Sequence, residues 1–177
     1  MQSEEQIRKQ AILEVAQKMM IAARTAPKGR GTDNMLISLL GEEEIKSVAA
    51  KMRSLVEKEG WPHSFARDAG NIEKAPWMII LASKIEALRL KVCGMCGFPD
   101  CDEKDKHPEI PCVFNTGDLG IAIGSAVSIA MDHRVDNRIM YTVGQAVKRM
   151  GLLPEEYRII YGIPLSVISK NVFFDRK

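Results

Sequence analysis

The sequence predicts an α+β fold in a single domain. Three observations carry this: long segments with apolar residues at helical spacing, short apolar runs between them that suit buried strands, and no linker, repeat or low-complexity tract dividing the chain. At 177 residues one compact domain is expected, and 46% hydrophobic with 27% charged residues excludes wholesale disorder.

In residues 4–23, Ile7, Ala11, Ile12, Val15, Ala16, Met19, Met20 and Ala23 fall on one side of a helix. Ser3 followed by Gln6 has the form of a capping box, which satisfies free N–H groups at a helix start. Pro27, Gly29 and Gly31 end that helix. Met35 to Leu40 is short and apolar, as a buried strand would be. After Gly41, Glu42, Glu43 and Glu44 lie where the positive end of a helix dipole favours them, and Ile45, Val48, Ala49, Met52, Leu55 and Val56 carry the second helix. Residues 61–74 read as a short helix inside a loop. Pro76 to Ala82 is a second buried strand, and its continuation to Val92 is open between helix and strand.

Residues 118–131 read as a helix apolar nearly all round, which places it in the interior. Gly120, Gly124 and Ser128 form a small-residue stripe along it, best read as helix–helix packing. Asp136 is expected to cap the next helix, whose apolar face is Ile139, Met140, Val143, Ala146, Val147 and Met150, and Gly151 ends it. Tyr157 to Ile163 is a third strand, and the chain leaves through Pro164 toward a polar, basic tail. The expected arrangement is helices alternating with short strands around a helical interior.

Twenty-five Lys plus Arg against 23 Asp plus Glu give a net charge of +2, too balanced for a dedicated nucleic-acid binder. The opening MQSEEQIRKQ has no apolar core of a signal peptide. The apolar run between Asp118 and Asp132 is shorter than the ~20 residues a bilayer requires. A cytoplasmic protein with neither nucleic-acid nor membrane partner is expected.

All four cysteines lie in one stretch, Cys93, Cys96, Cys101 and Cys112, with the spacing C-x2-C-x4-C-x10-C. Clustered thiols in a cytosolic chain point to metal rather than to disulfides, because thiolates are soft, charged donors. Gly94, Gly97, Pro99, Pro108 and Pro111 make the segment a loop, and residues 92–113 read as a metal-binding insertion within the single domain. Zinc knuckles place their cysteines in two close pairs, whereas iron–sulfur sites accept three close cysteines and a remote fourth. The spacing favours [4Fe–4S], with zinc as the alternative. His107 is read as an exposed loop histidine. Asp102, Glu103, Lys104, Asp105 and Lys106 are read as a solvated loop or a docking surface for a redox partner.

Arg24, Lys28 and Arg30 surround Pro27, Gly29 and Gly31 after the first helix. A Gly-rich turn with cations nearby can hold a phosphate, and an ordinary surface loop is an equal reading. Asp132, His133, Arg134, Asp136, Asn137 and Arg138 form a polar knot, read as a turn tied by ion pairs or as a group that positions substrate or moves a proton.

Several of these segments carry resemblances. The stretch C-G-x-C-G-x-x-x-C with a later cysteine resembles the [4Fe–4S] domain of corrinoid/iron–sulfur proteins and of membrane ferredoxin-oxidoreductase B subunits. Ala22 to Asn34 followed by a strand and an acidic helix start, Pro76 to Ala82, Asp118-Leu-Gly-Ile-Ala-Ile-Gly, and the strand ending Tyr-Gly-Ile-Pro164 together resemble the nitroreductase superfamily. Asp132-His-Arg-Val-Asp-Asn-Arg138, Ile163-Pro-Leu-Ser and Lys170-Asn-Val-Phe-Phe-Asp-Arg176 resemble a prokaryotic family labelled ferredoxin domain-containing, of which the cysteine segment is part. The nitroreductase resemblance implies a short central sheet flanked by helices, and a homodimer with flavin mononucleotide (FMN) at the subunit interface. The matching flavin positions are Arg24, Pro27, Lys28, Gly29 and Arg30, with Lys170 and Arg176 as late cations toward the phosphate. The family's Arg-Arg-Ser opening is absent here. Two function classes follow: an FMN-dependent oxidoreductase passing electrons between a [4Fe–4S] cluster and flavin, or a non-enzymatic electron carrier or sensor with a cluster and no flavin. A zinc-stapled scaffold is the third.

Overall fold

The computed structural model describes residues 1 and 3–174. Its helices are α1 (Glu4–Thr25), α2 (Glu42–Glu59), α3 (Ser64–Ile72), α4 (Cys101–Asp105), α5 (Val113–Asp132) and α6 (Tyr141–Met150). Its strands are β1 (Met35–Leu40), β2 (Trp77–Lys84), β3 (Asp136–Asn137) and β4 (Tyr157–Ser166). They form one antiparallel sheet in the order β1-β2-β4-β3.

Alternation along β2 decides the architecture. Met78, Ile80 and Ala82 pack with α2, α3 and α6 through Met52, Leu55, Phe65 and Val143. Ile79 and Leu81 face the other way, onto Ile12 and Met19 of α1 and Leu119 and Ala126 of α5. A strand buried on both faces reads as a continuous apolar run, which is why Trp-Met-Ile-Ile-Leu-Ala carries no polar alternation. The interior is therefore the sheet, with helical layers on both sides, rather than a helix.

The local signals hold where they are strongest. Ser3 and Gln6 form the capping box of α1. The first strand spans Met35–Leu40, and Gly151 ends α6 at φ 65°, a left-handed position that suits glycine. The segment after β2 is neither helix nor strand through Val92.

Three expectations change. First, α5 begins at Val113 rather than at 118 and lies in an outer layer. Leu119, Ala122, Ile123, Ala126 and Ala130 are buried, while Gly120, Ile121, Gly124, Ser128 and Met131 are exposed. A Cβ at Gly120 or Gly124 would meet nothing within 4 Å, so among the described residues no helix packs against these two glycines. At 20 residues with a mean hydropathy of 1.3, α5 is the one described helix long and apolar enough to cross a bilayer, and here its buried side is sealed by α1 and the sheet.

Second, Asp136 pairs with Ser166 in β3, and Met140 is the N-cap of α6. Third, the strand does not end at Ile163: Pro164 lies inside β4, opposite Met78. The Asp136–Ser166 and Met140–Gly162 pairings put Arg138 across from Pro164 on its other side, where the ladder is interrupted because proline has no N–H to donate.

The register fixes two ends of the molecule. At one end Met35 pairs with Ser83, and Lys84 N–H donates to Asn34 O at 3.0 Å. At the other Trp77 pairs with Leu165. The C-terminus of α1, the basic loop and the cysteine segment all gather at the first end.

Candidate metal centre

The cysteine segment leaves β2 at Lys84 and returns to the core at α5. Cys93 and Cys96 lie on turns built around Gly94 (φ 71°) and Gly97 (φ 91°), backbone that residues with a Cβ adopt at a cost. Cys101 opens α4, whose cap is Asp100, accepting the Glu103 N–H at 2.8 Å. Cys112 is the N-cap of α5 and is buried, at the helix end where negative charge is favoured.

From these separate elements all four thiols line one cavity of about 240 Å³, shared with Leu90, Val92, Phe98 and Lys104. None is in a disulfide. Among the described residues no three His, Cys, Asp or Glu side chains converge on a position for a single ion. Zinc needs its sulfurs at ~2.3 Å from one point. The cavity of about 240 Å³ is wider than a single ion occupies. The donor chemistry and the space fit a multi-atom iron–sulfur core.

Side chains that the sequence reading missed hold this cavity in place. Buried Asn115 accepts the N–H groups of Cys112 (3.2 Å) and Glu86 (3.0 Å) on Oδ1 and donates to Glu86 O (3.0 Å). It thus ties the fourth cysteine to the start of the loop. An amide three residues after a cap position is a capping-box signal, legible once α5 is known to start at Val113. Lys104, placed by the sequence in a solvated charge run, is 3% exposed. Arg89 pairs with Asp102 and Asp105, and Arg30 donates to Leu88 O and Arg89 O, both at 3.4 Å. His107 stacks on Phe98 at 5.1 Å between ring centroids and does not line the cavity.

Arg24 and Arg30 of the basic loop are exposed, yet the loop's cations have acceptors within the chain. Lys28 Nζ donates to the carbonyls of Ala23, Arg24 and Ala26, closing the C-terminus of α1. Arg24 pairs with Asp33 and donates to Met35 O. Gly29 follows Pro27 and Lys28, and its N–H donates to the Asp118 carboxylate at 3.0 Å, so an internal anion takes the place a phosphate oxygen would need. A Cβ at Gly29 would come within 2.6 Å of Leu88 Cδ2, so the loop is pressed against the cysteine segment. Burial works against the Asp33 carboxylate, but the Arg24 and Met35 N–H donors and the nearby Lys28 charge hold it below the usual range. Lys170 follows β4 at the opposite end of the sheet, and Arg176 lies outside the described residues. Among the described residues, Arg24, Lys28 and Arg30 lie at one end of the sheet and Lys170 follows the strand that ends at the other.

The polar knot is also divided. Asp132, the last residue of α5, and His133 and Arg134 in the turn that follows are exposed. Asn137 donates to Val135 O. Arg138 turns away to Phe173 O (2.7 Å), near buried Asp68, which accepts from Thr142 Oγ1 (2.8 Å) and from Arg67. That cluster ties α3, α6 and the C-terminal turn together.

A family model described as "Uncharacterized protein containing a ferredoxin domain (DUF2148)" matches residues 109–176. An uncharacterized protein of Archaeoglobus fulgidus is 36% identical over 165 residues, covering 89% of this chain and 88% of that one. The chain belongs to this ferredoxin-domain family. The matched region takes in Cys112, α5, α6 and β4, while Cys93, Cys96 and Cys101 precede it.

Solved structures similar to this ferredoxin-domain chain are nitroreductase-like. A nitroreductase with bound FMN from Desulfitobacterium hafniense has a TM-score of 0.60 at 18% identity, over 96% of this chain and 80% of that one. A BluB-like flavoprotein from Clostridium difficile gives 0.54 at 19%, over 93% and 84%. A nitroreductase family protein from Clostridium novyi gives 0.56 at 15%, over 87% and 73%. The ferredoxin-domain chain therefore has the nitroreductase fold, with a short sheet flanked by helices.

Proposed function

We propose that the protein is an iron–sulfur redox protein whose Cys93, Cys96, Cys101 and Cys112 hold a [4Fe–4S] cluster. The observation that carries this reading is that four cysteines from two turns and two helix starts line one cavity. The ferredoxin-domain family supports it. When bound, the cluster supplies one-electron transfer. The chain supplies the four ligands, a partly apolar wall from Leu90, Val92 and Phe98, and the Asn115 clamp that keeps Cys112 in register with residue 86. Residues 92–113 act as a metal-binding insertion in a single domain. A cytoplasmic location accords with the free thiols, which a reducing compartment preserves.

The test is iron and acid-labile sulfide analysis of anaerobically purified wild type and Cys96→Ser. The reading requires about four irons per wild-type chain, visible absorption that bleaches on reduction, and loss of both in the variant. A colourless protein with one zinc per chain would replace it with a structural staple.

A second reading adds FMN, making the protein an oxidoreductase that couples the cluster to flavin. The fold shared with the D. hafniense nitroreductase that carries bound FMN favours it. Arg24, Lys28 and Arg30 would have to exchange their internal partners for the phosphate. Flavin in the acid-released supernatant supports this reading, and its absence leaves the electron carrier. The proposed partner is a second copy of the chain, seated on the open α5 face of Gly120, Ile121, Gly124 and Met131. Gly124→Leu should convert a dimer to a monomer on size exclusion, whereas an unchanged elution volume would remove that face from the interface.

A further inference from the structure

We infer that Lys104 is the charge partner of the group held by the four cysteines, a positioning residue that sets how readily that group accepts an electron. The inference rests on the cluster reading above and goes beyond ligand assignment. Lysine is almost never fully buried unless paired. Lys104 is 3% exposed although its charged neighbours in Asp102–Lys106 are all at least partly exposed. The ion pair it makes, to Asp105 at 3.5 Å, is long, and the same carboxylate is engaged by Arg89. Its ammonium is thus undercompensated by its own neighbours, and Lys104 lines the cavity that the four thiols line.

Four thiolates around an iron–sulfur core leave a net negative charge that grows on reduction. A buried cation beside it stabilises the reduced form more than the oxidised one. The step concerned is the addition of one electron, with no bond made or broken and no proton taken; in the assay the donor is dithionite. At an effective dielectric of about 20 and within about 10 Å, one unit charge shifts a one-electron equilibrium at least tenfold.

The experiment compares wild type, Lys104→Met and Lys104→Arg, each purified without oxygen, analysed for iron and sulfide, and titrated with dithionite in an optical cell. Lys104→Met should lower the reduced-to-oxidised ratio about tenfold at fixed potential, a midpoint about 59 mV more negative, and Lys104→Arg should retain most of the wild-type value. An iron-loaded Lys104→Met with the wild-type midpoint would overturn the role of Lys104 and leave the cluster standing. A wild type without iron would overturn both. If Lys104→Met does not load, Asp105→Asn and Asp102→Asn decide. A midpoint raised by Asp105→Asn alone supports the role, since Asp105 pairs with Lys104 and Asp102 does not, and equal shifts overturn it.

Discussion

Replacing Asn115 by alanine tests how the cysteine cavity is held to the fold. The amide makes three hydrogen bonds, two to the backbone of Glu86 and one to the buried N–H of Cys112. Truncation leaves those backbone groups without their partner where water has little access. An unsatisfied buried group costs roughly 1–3 kcal/mol, and the Glu86 groups are only part-buried, so a total near 3 kcal/mol is expected. Alanine's better helix propensity returns less than about 0.7 kcal/mol. For a domain of this size that loss lowers Tm by roughly 6–12 °C. The assay is calorimetry on metal-free protein, so that metal linkage does not enter. Iron content of the reconstituted variant is then read separately and should fall, because Cys112 loses its register with residue 86. Asn115→Asp, which keeps an acceptor but loses the donor to Glu86 O, should fall between alanine and wild type. A metal-free Asn115→Ala that melts within about 1 kcal/mol of wild type would refute the clamp.

Gly144→Ala should be among the most damaging single substitutions, since its Cβ would lie 1.8 Å from Ile160 O, a backbone atom; a loss of at least about 3 kcal/mol by urea denaturation is expected, and a near-neutral result would contradict the close α6–β4 packing. Arg30→Ala should leave the fold intact but speed amide exchange across 85–92, because Arg30 donates to Leu88 O and Arg89 O; unchanged exchange there would remove its role as a brace. Asp33, held below its ordinary value of about 3.9, contributes stability that is complete above that value and is lost as pH falls through the depressed one. The pair is partly exposed, so the effect stays under about 1 kcal/mol. Denaturation of wild type and Asp33→Asn from about pH 5 to about pH 3 should converge at the acid end, and parallel curves would count against the Arg24–Asp33 contact.

How much was legible in the sequence follows from which interactions are local. Capping at Ser3 and Gln6, the strand Met35–Leu40 and the Gly151 stop depend on neighbours within a few residues, and each reads correctly. The cysteine spacing is local too, and the structure places all four cysteines along the wall of one cavity. What failed depends on distant packing. The composition of α5 suggested full burial, but only the sheet and α1 determine which side is covered, and they cover one. Lys104 sits in a run of charges that reads as solvated, yet it is buried and lines the cavity shared with residues of the cysteine segment. The cations Arg24, Lys28 and Arg30 look like a phosphate site along the chain. The structure adds acceptors within the chain, Asp33 and the carbonyls of residues 23, 24, 26, 88 and 89.

The central claim is that the four cysteines jointly hold an iron–sulfur core, and Mössbauer spectroscopy of protein enriched with iron-57 under anaerobic conditions tests it most directly. The expected result is one set of signals from a tetranuclear cluster with all four irons thiolate-bound, reduced in the Cys112→Ser variant. A protein that binds a single zinc tetrahedrally in the same cavity, with no iron signal, would contradict it.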